Sequence, residues 1–317
     1  MTDLSVRLGP LRLEHPLINC SGTMELFELA KAFGPRFVEH PPVAAYVPKT
    51  VTLQPRLGNP PPRILETAAG LINAIGLPGP GLEVFVGEEL PRLLALPCPV
   101  IVSVGGFSRE EYVALAGGLK DALDVALPAE WTCRMGLELN ISCPNVRSGC
   151  ASIGADARET EGVVAAVRAT WPGLLVAKLT PNVTDMTEIG RAAEAAGADA
   201  LAAVNTYKGL VIDRRTLRPY LGNVTGGLSG PAIKPLALRA VYELYEAVAL
   251  PIVGMGGVET ADDVLEFMAC GATVVAVGSC GFKDPCLAWH SSRELAIALS
   301  DRDLTVSDVV GWAHREV

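Results

Sequence analysis

Eight short apolar runs, spread along the whole chain and separated by helix-like segments, constrain this sequence more than any other feature. They are PLINC (16–20), AAYVPK (44–49), PVIVSV (99–104), MGLELN (135–140), LLVAKL (174–179), ALAAVN (200–205), PIVGMG (251–256) and TVVAVG (273–278). The runs are continuous rather than alternating, as in strands buried on both faces. Amphipathic helix patterns lie between them at 108–123, 156–170, 184–197, 234–248 and 260–271, the first opening with Ser108 as N-cap and early glutamates. Alternating strand and helix patterns imply parallel strands. Eight such units predict a (β/α)8 TIM barrel, α/β in class, with its active site at the carboxyl ends of the strands. An open doubly wound sheet is the alternative. A single barrel domain accommodates residues 1–317, because barrels of about 250 residues or more fold as one unit.

Two segments exceed a plain barrel. Residues 50–82 are long and rich in Pro and Gly, and residues 206–230 alternate like a hairpin around a glycine cluster. Both follow a predicted strand, so both are expected over the active-site mouth, where long loops are usually functional.

Charge and cysteine usage exclude several functions. The net charge is −9, with no Lys/Arg block, which argues against a nucleic-acid or anionic-membrane partner. The start, MTDLSVRLGPLRLEHPL, lacks the apolar core of a secretion signal, and no run of about 18 apolar residues appears. The eight cysteines form no CxxC pair and read as reduced thiols of a cytoplasmic protein. His15, His40, His290 and His314 all lie away from the strand ends, so neither a histidine base nor a metal site is expected.

Small, polar and cationic residues gather at those ends instead. Cys20-Ser21-Gly22 follows the first run, Lys49-Thr50 the second, and Ser103 closes the third. Asn140 ends the fourth with Cys143 three residues on; Lys178 ends the fifth and Asn205-Thr206 the sixth. Gly256-Gly257 and Gly278-Ser279 follow the last two, where a barrel commonly binds phosphate on bare backbone N–H groups. These glycines could equally do no more than turn the chain. Lys178 sits within an apolar run, where a lysine is rarely buried without a partner. It reads either as a Schiff-base lysine or as positive charge offered to an anionic ring or carboxylate, and Lys49 could serve the second purpose.

The segments PKTVTLQPRLGNPPPRILETAAGLINAIGLPGPG, ELNISCPNV, NTYKGLVID, GGLSGPAIKP and PIVGMGGVETADDVLEFMACGA together resemble dihydroorotate dehydrogenases of the cytosolic class 1, over about residues 4–300. The resemblance implies an FMN-containing barrel that oxidises dihydroorotate to orotate in pyrimidine biosynthesis. It places FMN contacts on Ser21, Lys49, Thr50, Ser103, Asn140, Lys178, Val204, Gly230, Gly256, Gly257, Gly278 and Ser279. It places substrate contacts on Lys49, on Asn73, Ala74, Ile75, Gly76 and Leu77, and on Asn140, Asn205 and Thr206. It makes Cys143 the general base, a role suited to a thiol whose pKa of about 8.5 nearby cations can lower. The run NVRSGCASIGADARE after Cys143 is similar to the NAD-linked (1B) subgroup, which implies a homodimer core joined to an iron–sulfur flavoprotein subunit carrying FAD and a 2Fe-2S cluster. This chain has no clustered cysteines for such a cluster. The alternatives are a fumarate-reducing homodimer and a flavin-dependent dihydropyrimidine dehydrogenase. Departures from the family pattern fall at Cys20, at Met24–Phe27, at Lys208 and at Cys280-Gly281.

Overall fold

A computed structural model describes residues 2–127, 130–142 and 153–315. Seven parallel strands form one curled sheet in the order Leu17–Asn19, Ala272–Val277, Ile252–Met255, Ala200–Ala203, Leu174–Lys178, Met135–Asn140, Val100–Val104. These are seven of the eight apolar runs, and nearly every residue in them is buried. Burial on both faces removes any need for alternation, which is why each run reads as unbroken.

The eighth run, 44–49, closes the barrel without becoming a regular strand. The Ala44 N–H donates to the Leu17 carbonyl on one side, at 2.9 Å. On the other side Tyr46 N–H donates to Pro99 O at 2.9 Å and Val51 N–H to Ser103 O at 2.8 Å. The ladder breaks between these points because Pro48 has no N–H to donate. The Asn19 side chain substitutes for it: its Oδ1 accepts from Val47 N–H at 2.9 Å and its Nδ2 donates to Val47 O at 2.7 Å. One buried amide thus makes both bonds that a neighbouring strand would have made.

The predicted helices form as Arg109–Ala126, Ala157–Arg168, Met186–Ala195, Lys234–Ala247 and Ala261–Ala269. Ser108, Asp156, Asp185 and Thr260 each cap one of them by accepting from backbone N–H groups in the first turn. Helices Leu26–Phe33 and Leu287–Ser300 were not expected. Neither has a side-chain cap, so the usual start signal is missing from their sequences.

The two long insertions pair with each other. Hairpin Ile64–Thr67/Gly70–Asn73 from the first and strands Tyr207–Leu210 and Thr225–Ser229 from the second form one antiparallel sheet beside the barrel mouth. Asn73 pairs with Gly227 across the join. A side chain at Gly227 would collide with Thr206, so the bare backbone there lets the sheet press against the sixth strand end. Ile72, Ala74 and Leu221 make a small apolar cluster of their own beneath this sheet.

Candidate active site

The carboxyl ends of the strands and the inserted sheet enclose one cavity of about 210 Å³. Ser21, Lys49, Thr50, Asn140, Lys178, Val204, Asn205 and Thr206 line it from the first, second, fourth, fifth and sixth staves. Gly256, Gly257, Gly278 and Ser279 line it from the last two, with Gly230 beside them. Asn73, Ile75, Gly76 and Leu77 form the side supplied by the first insertion. Two of the expected residues stand off the wall: Ser103 lies one layer behind Thr50, and Ala74 is fully buried in the small cluster with Ile72 and Leu221. Cys143 lies outside the described residues.

Hydroxyls and amides cross-link one flank. Thr50 Oγ1 lies 3.1 Å from Ser21 Oγ and 3.0 Å from Ser103 Oγ, and it accepts from Asn140 Nδ2 at 3.2 Å. Ser142 Oγ donates to Asn140 Oδ1 at 3.1 Å, and Asn205 Nδ2 donates to Ser142 Oγ at 2.8 Å. Tyr112 OH donates to the Asn140 carbonyl at 2.8 Å, fixing the strand end from the helix side. Asn182 supports the far end: its Nδ2 donates to Thr206 O at 3.0 Å and its Oδ1 accepts from Lys208 N–H at 2.8 Å. Tyr112, Ser142 and Asn182 are not singled out by the sequence, although Ser142 lies within two residues of Asn140 and Cys143. Locking by neighbours gives such amides fixed donor and acceptor directions.

Lys178 has the partner its burial demands. Its Nζ lies 3.5 Å from Glu138 Oε1, and both side chains are only 6 % exposed. Glu138 was read simply as part of an apolar strand. Its parity held a signal, since residues 138 and 140 share one face of the strand. Cys20, one of the departures, is close enough to feel both charges. Burial is the main force pushing its thiol up to about 11, while Lys178 pulls down and Glu138 pushes up. Of the other departures, Lys208 is exposed on the inserted sheet, and Cys280 Sγ lies 3.6 Å from Glu259 Oε1.

The glycines of the last two staves form a cradle. Gly256 and Gly257 have φ of +132° and +82°, which favour glycine. A Cβ on Gly257 would sit 2.8 Å from the Gly230 carbonyl oxygen. At Gly278 φ is negative, −102°, and a Cβ would meet nothing nearer than Cys20 Sγ at 3.5 Å.

A larger hollow, about 870 Å³, lies where the chain enters the first three staves, among Arg12, His15, Arg36, His40, Cys98 and Trp289. None of the expected site residues borders it. Volume alone would choose this end, but convergent polar groups and bare backbone mark the other as the functional site.

Amides, two lysines and paired glycine turns at the carboxyl end of a parallel barrel define the class: an α/β-barrel protein with its polar site at the strand ends. The dihydroorotate dehydrogenase family model matches residues 3–299. The chain is 45 % identical to the "Dihydroorotate dehydrogenase B (NAD(+)), catalytic subunit" of Desulforudis audaxviator, covering 98 % of this chain and 97 % of that one. It is 42 % identical to the protein of the same name from Trichlorobacter lovleyi, covering 97 % of each. Its identity to the one from Carboxydothermus hydrogenoformans is 40 %, over 99 % of this chain and 98 % of that one. The chain therefore belongs to the dihydroorotate dehydrogenase family, a family of flavin-dependent oxidoreductases.

Proposed function

We propose that this chain, as one catalytic barrel, oxidises dihydroorotate to orotate in pyrimidine biosynthesis, using bound FMN. The observation that carries the reading is convergence: residues from seven of the eight staves and from both insertions meet at one cavity, with Ser103 of the remaining stave bonded to Thr50 behind the wall. The residues fit FMN. The cradle of Gly256, Gly257 and Gly230 leaves room that a Cβ would fill, and Gly278-Ser279 adds a second stretch of accessible backbone for the phosphate. Ser21, Thr50, Asn140 and Val204 lie along the route to the ring end, with Ser103 holding Thr50. Lys178 lines that end and offers the positive charge that a reduced, anionic flavin ring requires.

Held by these residues, FMN would supply the hydride acceptor for the ring carbon of dihydroorotate. The chain's residues do the rest. Lys49 binds the substrate carboxylate. Asn73 and Asn205, with Asn140 and Thr206, hold the amide edges of the ring without adding charge, and the run Ile75 to Leu77 closes over it. Cys143 takes the proton from the adjacent ring carbon as a thiolate. Among the described residues no helix is long and apolar enough to cross a membrane. We place the protein in the cytoplasm.

The relatives are named as catalytic subunits of NAD(+) enzymes. We infer that this chain also works with a partner: an iron–sulfur flavoprotein bearing FAD and a 2Fe-2S cluster, docked on a homodimer of barrels. The test is direct. Purified protein should be yellow and release FMN on denaturation, and dihydroorotate added without oxygen should bleach it. A colourless protein, or a yellow one that dihydroorotate does not bleach, rejects the reading. Efficient NAD reduction by the isolated chain would reject the partner.

A further inference from the structure

We infer that Glu138 is a positioning residue that keeps Lys178 protonated and aims its charge at the cavity. The inference rests on the reading that FMN occupies that cavity. Two buried charges are seldom a net gain in stability, because each loses its hydration and only good geometry recovers the loss. This pair has poor geometry for that purpose. At 3.5 Å the contact is long, and Glu138 Oε1, shielded from water, makes no hydrogen bond. The pair is oriented instead. Lys178 lines the cavity and Glu138 does not, so the ammonium forms the wall and the carboxylate stands behind it.

Strand register produces this order. Asn140 pairs with Lys178 and Glu138 with Val176, so Glu138 sits two residues deeper on the neighbouring strand. The strand on the other side presents Ala202 opposite Lys178 and contributes no charge. Among the described residues, the Cys20 thiol also feels the ammonium, and Lys49 shares the cavity wall. Cys20 is neutral at working pH, and Lys49 repels a second cation. Both burial and Lys49 therefore favour the neutral amine, and Glu138 opposes them. A lysine that stays charged throughout can stabilise charge developing on the ring without taking up a proton first.

The test compares the parent, Glu138→Gln and the double variant Glu138→Gln/Lys178→Met. In flavin-free protein, thermal stability is followed from pH 7 to 10. With Glu138→Gln the folded-state pKa of Lys178 falls below its unfolded value. The unfolded chain then binds more protons in that window, and stability climbs with pH. The parent and the double variant should show no such climb. In FMN-loaded protein, reduction of Glu138→Gln should take up about one more proton than reduction of the parent, seen as a steeper fall of midpoint potential with pH. A Glu138→Gln curve parallel to the parent in the flavin-free arm overturns the proposal. FMN that fails to bind the parent overturns the cofactor reading and leaves the flavin-free arm to decide Glu138. If Glu138→Gln does not fold, Glu138→Asp replaces it and should show the same climb in weaker form; its absence overturns the proposal equally.

Discussion

The two ends of the barrel hold polar residues for opposite purposes. At the carboxyl end, amides, hydroxyls and Lys178 are braced by neighbours and border a cavity of about 210 Å³. At the entry end, a hollow of about 870 Å³ is walled in part by prolines, and two of its polar side chains are engaged with the protein. His15 Nδ1 accepts from Leu17 N–H at 3.2 Å, and the Arg36 guanidinium lies 5.3 Å from the Trp289 ring centre. The first end presents unspent bonding capacity to a ligand, whereas the second fixes where the first stave begins. Bonding capacity, rather than volume, separates a site from a gap.

The strongest way to break this contrast is to fill the glycine cradle. Gly257→Val should give colourless, inactive protein. Its φ of +82° and the Gly230 oxygen 2.8 Å from a new Cβ mean that strain alone could do this. Gly278→Val helps separate the causes, because φ there is negative and a new Cβ meets nothing nearer than 3.5 Å, while the cavity narrows. A folded, fully yellow Gly278→Val protein would remove the phosphate from this end. Absorbance of released flavin, set beside circular dichroism, reads both.

Next in size is Cys143→Ala. Flavin and orotate should still bind, and anaerobic flavin reduction should slow by on the order of 10²–10⁴, the usual worth of a positioned base. Its rise with pH through one ionisation should vanish. Among the described residues, burial pushes the Cys20 and Cys98 thiols each up to about 11 and Cys280 up to about 12, away from the range of a working base. Stopped-flow bleaching across pH decides it, and a parent-like profile in Cys143→Ala would put the base elsewhere.

Lys49→Ala comes third. Losing one charge-assisted contact should weaken orotate binding by about 10- to 100-fold, with FMN retained. Titration of the flavin spectrum with orotate measures it. Unchanged affinity would detach Lys49 from the substrate.

Much of this contrast was legible in the sequence, for identifiable reasons. Strands buried on both faces leave unbroken apolar runs, so all eight staves could be read, including 44–49, where Asn19 rather than a ladder completes the bonding. Polar residues and glycines stand at the ends of those runs, so Lys49, Asn140, Lys178, Asn205 and the glycines that line the cavity could be picked out as well. Pairings distant along the chain could not. Asn73 meets Gly227 only because two insertions fold together, and neither segment encodes the other. Glu138 was hidden for a different reason: a single acidic residue within an apolar strand looks like noise until its depth and register beside Lys178 are known.

The smallest expected effect on activity belongs to the entry end, and it sharpens the comparison most. Burial lowers the His15 pKa from 6.5 to about 4. The folded protein therefore keeps this imidazole neutral, while the unfolded chain protonates it near its ordinary value. Between those two pH values the unfolded state binds more protons, so stability falls as pH drops through the window and the loss levels off below it. The full loss is at most about 3 kcal/mol, and it is smaller to the extent that water in the hollow reaches the ring. His15→Asn keeps an acceptor for Leu17 N–H but cannot protonate. Relative to the parent, its melting temperature should fall less as pH is lowered from 7 to 4.5, with flavin content and turnover unchanged. If turnover falls while stability follows the parent curve, the entry end takes part in function, and the division of labour between the two ends fails.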